Sequence, residues 1–127
     1  MKLFIDRIKN SEDYMELGGV SEDAVKNAEA MLGTSFADDY RAYLVECGIA
    51  TAEGHEFTGL GRAKRLDVVS VTINERKRNQ YVAEELYVVE IMGMDGIVIW
   101  QDSQGVIYES IRNDTPKKIA ESLHDYL

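Results

Sequence analysis

Three pairs of carboxylates stand close together in this chain: Asp38 with Asp39, Glu53 with Glu56, and Glu84 with Glu85. Two carboxylates can cleave a glycosidic bond when held about 5 to 9.5 Å apart across it. Adjacent residues do not supply that arrangement. Asp38-Asp39 also falls in the first turn of an expected helix, where the helix dipole alone accounts for negative charge. Other chemistries lack their parts. His55 and His124 are far apart, and neither has a second ligand at zinc-site spacing. Cys47 is the single cysteine, and it falls on the apolar face of an expected helix, so it reads as a small buried hydrophobe. No Gly-x-Ser-x-Gly elbow occurs. Gly59-Leu60-Gly61 runs into Arg62 and Ala63, which is not a phosphate-binding loop. The residues therefore point away from catalysis, with no cofactor and no metal expected.

Charge is the remaining handle. The net charge is −9, unevenly spread. Residues 1–61 carry 5 basic and 12 acidic residues, and residues 79–127 carry 3 and 9. Between them, residues 62–78 carry 6 basic and 2 acidic. An acidic surface repels nucleic acid and favours basic partners. The basic island of Arg62, Lys64, Arg65, Arg76, Lys77 and Arg78 contains no aromatic residue on which a base could stack. It reads as a solvated helix face, with Arg76 partly paired to carboxylates.

The elements that must position these groups can be read from spacing. The 127 residues suit one domain, 1–127, and 45% apolar residues suffice for a core. Phe4, Ile5 and Ile8 predict a short N-terminal helix, and residues 10–20 a loop. Ser21 is an N-cap for a helix over 21–32 that stops at Gly33. Tyr40, Tyr43, Leu44 and Cys47 form one face of a helix over 37–46. A strand is expected around Glu56–Leu60. Residues 66–79 read as extended, passing into a helix near Ser70. Strands follow at 86–91, 96–101 and 105–109, joined by Gly93-Met94-Asp95-Gly96 and Asp102-Ser103-Gln104-Gly105, which is turn chemistry for an antiparallel meander. Thr115 and Pro116 predict the start of a helix over 116–126. Tyr40, Leu44, Leu32, Val88, Val98 and Ile107 are expected in the core. Alternation places Trp100 opposite Ile99, hence partly exposed at a partner surface. The fold class is α+β, an antiparallel β-sheet with helices packed on it. A lone cysteine, no bilayer-spanning apolar run, and charges at Lys2, Asp6, Arg7 and Lys9 where a signal would be apolar predict a cytoplasmic protein.

The order Gly18-Gly19-Val20-Ser21, Leu32-Gly33, Asp39-Tyr40-Arg41, Leu44, Cys47-Gly48, Gly59-Leu60, Arg76, Tyr87-Val88-Val89, Asp95-Gly96 and Gly105-Val106-Ile107-Tyr108 resembles the SUKH superfamily over nearly the whole chain. Phe36-Ala37 stands where that family usually has Leu-Pro, and Cys47-Gly48 where it often has Asn-Gly. The superfamily contains bacterial toxin-immunity proteins and fungal regulators of cell-wall assembly. The resemblance implies a non-catalytic binding protein whose partner is a cognate toxin, basic in charge, with no direct contact to nucleic acid or membrane. A regulatory protein-interaction module is the alternative. Loop-proximal or strand-edge carboxylates are the candidate contacts: Glu53, Glu56, Glu84, Glu85, Asp95 and Asp102.

Overall fold

The computed structural model describes residues 3–93 and 95–127. Helix α1 (Leu3–Lys9) turns Phe4, Ile5 and Ile8 inward. Strand β1 (Met15–Glu16) interrupts the stretch expected to be loop. Helix α2 (Glu22–Leu32) begins where Ser21 Oγ accepts the N–H of Ala24, and ends where Gly33 takes a left-handed φ of 69°. Helix α3 (Asp38–Cys47) follows after a short link. Strands β2 (Ala50–Ala52) and β3 (His55–Glu56) pair antiparallel with each other, and β2 pairs with β1. The strand expected over Glu56–Leu60 is thus shorter and earlier. Its remainder runs on as backbone in which Thr58 N donates to Val89 O and Gly59 bridges Asp67.

A 3₁₀ turn (Lys64–Leu66) leads into α4 (Val68–Arg78), capped by Asp67 through the N–H of Ser70. The extended start expected here does not form. Val68, Val69, Val71 and Thr72 are buried in the helix, and tertiary packing overrides their β-branched preference. Among the described residues no carboxylate forms an ion pair with Arg76, though the charge of Glu84 acts on it at longer range. Its guanidinium donates to the carbonyls of Leu32, Glu84 and Leu86, tying the end of α2 to the loop before β4.

The large sheet has the order β4-β5-β6-β7, all antiparallel, over Tyr87–Ile91, Ile97–Gln101, Ile107–Ile111 and Lys117–Ala120. The expected meander is present; Met94, part of its first turn, lies outside the described residues. The helix expected over 116–126 is corrected to strand β7 followed by a short α5 (Leu123–Tyr126). The residue before a proline is biased to extended backbone, and β6 has an open edge that Lys117–Ala120 completes. The true helix start is Ser122, whose Oγ accepts the N–H of Asp125.

The sheet is packed on both faces. Tyr87, Val89, Ile99 and Ile107 join the main core with α1, α2 and α3. On the other face α4 covers Val88, Val98 and Trp100, with Val71 and Leu86. This corrects the expectation for Trp100. It does lie opposite Ile99, but both faces are occupied, so it is fully buried and its indole N–H donates to Ser110 Oγ. The six residues expected in the core are all buried.

The signature glycines have a steric reason. A Cβ on Gly48, whose φ is 73°, would lie 2.1 Å from the carbonyl oxygen of Gly18, and one on Gly59 would lie 1.9 Å from that of Gly48. The loop before α2, the end of α3 and the segment after β3 meet there backbone against backbone.

Candidate functional site

The six candidate carboxylates fall in three parts of the fold. Glu53 and Glu56 belong to the β2–β3 hairpin, where both are held from within the chain. Arg7 donates to Glu53 from Nε (3.0 Å) and Nη2 (3.2 Å). Arg65 grips Glu56 with Nη1 at 3.0 Å and Nη2 at 2.5 Å. Asp13 closes the hairpin turn, accepting from the N–H groups of Glu53 (2.7 Å) and Gly54 (2.9 Å) and from the Ser11 hydroxyl. Those bonds, the Ser11 one foremost, hold its carboxyl down at about 2. Asp95 sits alone in the β4–β5 turn, exposed, with a φ of 55°.

Glu84, Glu85 and Asp102 share the third place, the end of the large sheet where β4 starts and β5 ends. Asp102 shapes the β5–β6 turn. Its Oδ1 accepts the N–H groups of Gln104 (2.9 Å) and Val106 (3.0 Å), and its Oδ2 accepts the Tyr108 hydroxyl (3.0 Å). Glu84 and Glu85 are exposed, and among the described residues neither side chain makes a hydrogen bond or ion pair. Only their carbonyls are held, by Arg76 and Thr34. Burial, the bond to Asp102 and the charges of Asp102, Glu85 and Glu121 together push the ionisation of Tyr108 upward. Burial does the same to Tyr87, aided by the charges of Asp39 and Asp102. These acids therefore build one field at this end of the sheet.

A cleft of about 440 Å³ opens beside it. Its lining combines apolar Leu3, Phe4 and Ala37 with acidic Asp38, Asp39 and Glu121, and His124 lines it too. One hydrogen-bond chain fixes its shape. Ala37 N–H donates to the Tyr87 hydroxyl (2.9 Å), which donates to Gln101 Oε1 (2.6 Å). Gln101 Nε2 donates to Asp39 Oδ1 (2.9 Å) and to Gly105 O (3.1 Å), and Leu123 N–H donates to Asp39 Oδ2 (3.1 Å). Ala37 holds φ at −66°, the angle proline would fix, but its N–H is a donor that proline lacks. The departure from Leu-Pro thus feeds the network that joins α3, β4, β5 and α5. Sequence reading assigns Asp38-Asp39 to the helix dipole and does not single out Glu121, because it places 116–126 in a helix.

A second polar cluster also escapes sequence reading. Glu90 is 4% exposed in β4. His55 Nδ1 lies 2.9 Å from its Oε1 and 3.1 Å from its Oε2, and the Tyr126 hydroxyl donates to Oε1 at 2.5 Å. His55 stacks on Phe57, with ring centroids 5.6 Å apart. The three groups satisfy one another and fasten α5 to the sheet. Cys47 is fully buried, and burial pushes its thiol up. Among the described residues no group of three or more His, Cys, Asp or Glu could hold a metal ion, and no helix is long and apolar enough to cross a membrane. The arrangement offers a shaped, charged surface for binding.

A model of the SUKH_5 family, described as SMI1-KNR4 cell-wall, matches residues 1–127. No curated protein matches the chain.

Proposed function

The chain belongs to that family over its whole length, and from this premise we propose that it is an immunity protein, neutralising a cognate bacterial toxin by direct binding without catalysis. One observation carries the reading: in a chain of net charge −9, the side chains of Glu84 and Glu85 make no hydrogen bond or ion pair among the described residues, Arg76 attracting Glu84 only at longer range, at a sheet end that also gathers Asp38, Asp39, Asp102 and Glu121. A toxin that acts on nucleic acid presents a cationic cleft built for phosphate. An acidic face of this kind occupies such a cleft, with charge setting the association rate and the choice of partner. Glu84, Glu85 and Asp102 lead the contact set, with Glu53, Glu56 and Asp95 at its outskirts. The complex forms in the cytoplasm of the producing cell.

The family description favours one other reading, a module that binds cell-wall-assembly partners. Gene neighbourhood separates the two, since an immunity protein needs a toxin gene beside it. Co-expression with that toxin is the test. Cells survive and a complex forms on mixing if the proposal holds. Equal killing with and without this protein, and no complex, transfers the case to the regulatory module.

A further inference from the structure

Resting on the binding reading above, we infer that the cleft between the starts of α1 and α3 and the β5–β6 turn seats one arginine side chain of the partner. Its apolar and acidic lining residues match the two halves of that side chain. Leu3, more than half exposed, lies with Phe4 and Ala37 where an aliphatic stem would lie. Asp38 and Glu121 line it too, with carboxylates that can grip a planar guanidinium.

The carboxylates here are held less firmly than those of the hairpin, each of which a bidentate arginine grips. Asp39 has no cationic partner among the described residues. A side-chain amide and a backbone N–H satisfy it, and these leave its negative charge in place. Among the described residues Asp38 is reached only by Arg41 at 3.3 Å, and Arg41 is bound more closely, at 2.7 Å, to Glu29. Glu121 meets Lys118 three residues away on the open surface. Exposed pairs of this kind contribute little, so an incoming guanidinium exchanges for them readily. Arginine suits this lining better than lysine, because its head is the more weakly hydrated cation.

The test uses three short peptides: acetyl-Gly-Arg-Gly-amide, its lysine counterpart, and its citrulline counterpart, which keeps the shape and loses the charge. Each is titrated into the full ¹⁵N-labelled chain and followed by amide shifts. The arginine peptide is expected to bind saturably, moving the amides of Asp39, Gly105, Glu121 and Ser122. Binding should weaken about fivefold or more in D38N/E121Q, as loss of two charge-assisted contacts implies. Those side chains are 104% and 66% exposed, so the variant keeps its fold, and an unchanged spectrum elsewhere verifies this. The lysine peptide should bind more weakly, and the citrulline peptide should not saturate. Equal binding by citrulline or lysine, shifts centred on another face, or no saturable binding would each overturn the inference. The toxin separates it from the parent reading. A toxin complex indifferent to D38N/E121Q sinks the arginine seat alone; a seated peptide with no toxin complex sinks the immunity reading alone.

Discussion

Glu53 and Glu56 on the β2–β3 hairpin resemble Glu84 and Glu85 ahead of β4 in residue type, exposure and loop position, yet the fold treats the two pairs differently. Arg7 reaches Glu53 from α1, and Arg65 reaches Glu56 from the 3₁₀ turn. The hairpin acids are thereby neutralised at short range, and a partner approaching from beyond about 8 Å, the screening length at physiological salt, meets little net field there. Glu85 gains no such partner among the described residues and Glu84 only the longer-range attraction of Arg76, while Asp102 and Glu121 stand near Glu85. Exposure alone does not mark a contact; what decides is whether a bidentate counter-charge within the chain already holds the carboxylate.

The comparison can be broken first through Asp39, which braces the sheet end. Replacing Asp39 with alanine takes one partner from the Gln101 amide and strands the Leu123 N–H, and should cost about 1–3 kcal/mol in urea unfolding. Charge reversal comes next. E84K/E85K should slow association with the toxin about tenfold, equivalent to about 1.4 kcal/mol, with unchanged unfolding. E53K/E56K should do the reverse, moving association by less than about twofold while slightly lowering the urea midpoint, because both broken pairs lie at the surface. Raising salt should slow wild-type association in stopped-flow mixing and flatten the difference from E84K/E85K.

The smallest effect concerns pH. The Asp13 carboxyl sits lower in the folded chain than in the unfolded one, so its support of the hairpin is full above about pH 4. That support is lost as pH falls through about 2. The protection of the Glu53 and Gly54 amides, measured against their intrinsic exchange rates, should therefore fall over that window, while D13N should show lowered protection at every pH.

Local signals made much of this fold legible. Ser21 and Gly33 mark both ends of α2, and glycine turns mark the meander. Two readings failed because they depend on neighbours. Ile119, Leu123 and Tyr126 have helical spacing, but the open edge of β6 recruits Lys117–Ala120 as a strand. Trp100 alternates away from Ile99, and only the position of α4 decides that this side is also buried. The site shows the same limit more sharply. Acid pairs are visible in sequence, but the Arg7–Glu53 pair spans 46 positions, and nothing local announces it. The cleft is invisible for the same reason, since α3, β5 and α5 are joined there through Asp39 and Gln101, residues far apart in the chain.

The most direct test places the two double reversals side by side. Cells carrying the toxin encoded beside this gene are given wild type, E53K/E56K or E84K/E85K, with expression matched and each variant's fold verified by circular dichroism. The account predicts that wild type and E53K/E56K protect, while E84K/E85K protects only when the toxin is weakly induced. Full protection by E84K/E85K together with loss of protection by E53K/E56K would contradict it, and would move the working surface to the hairpin.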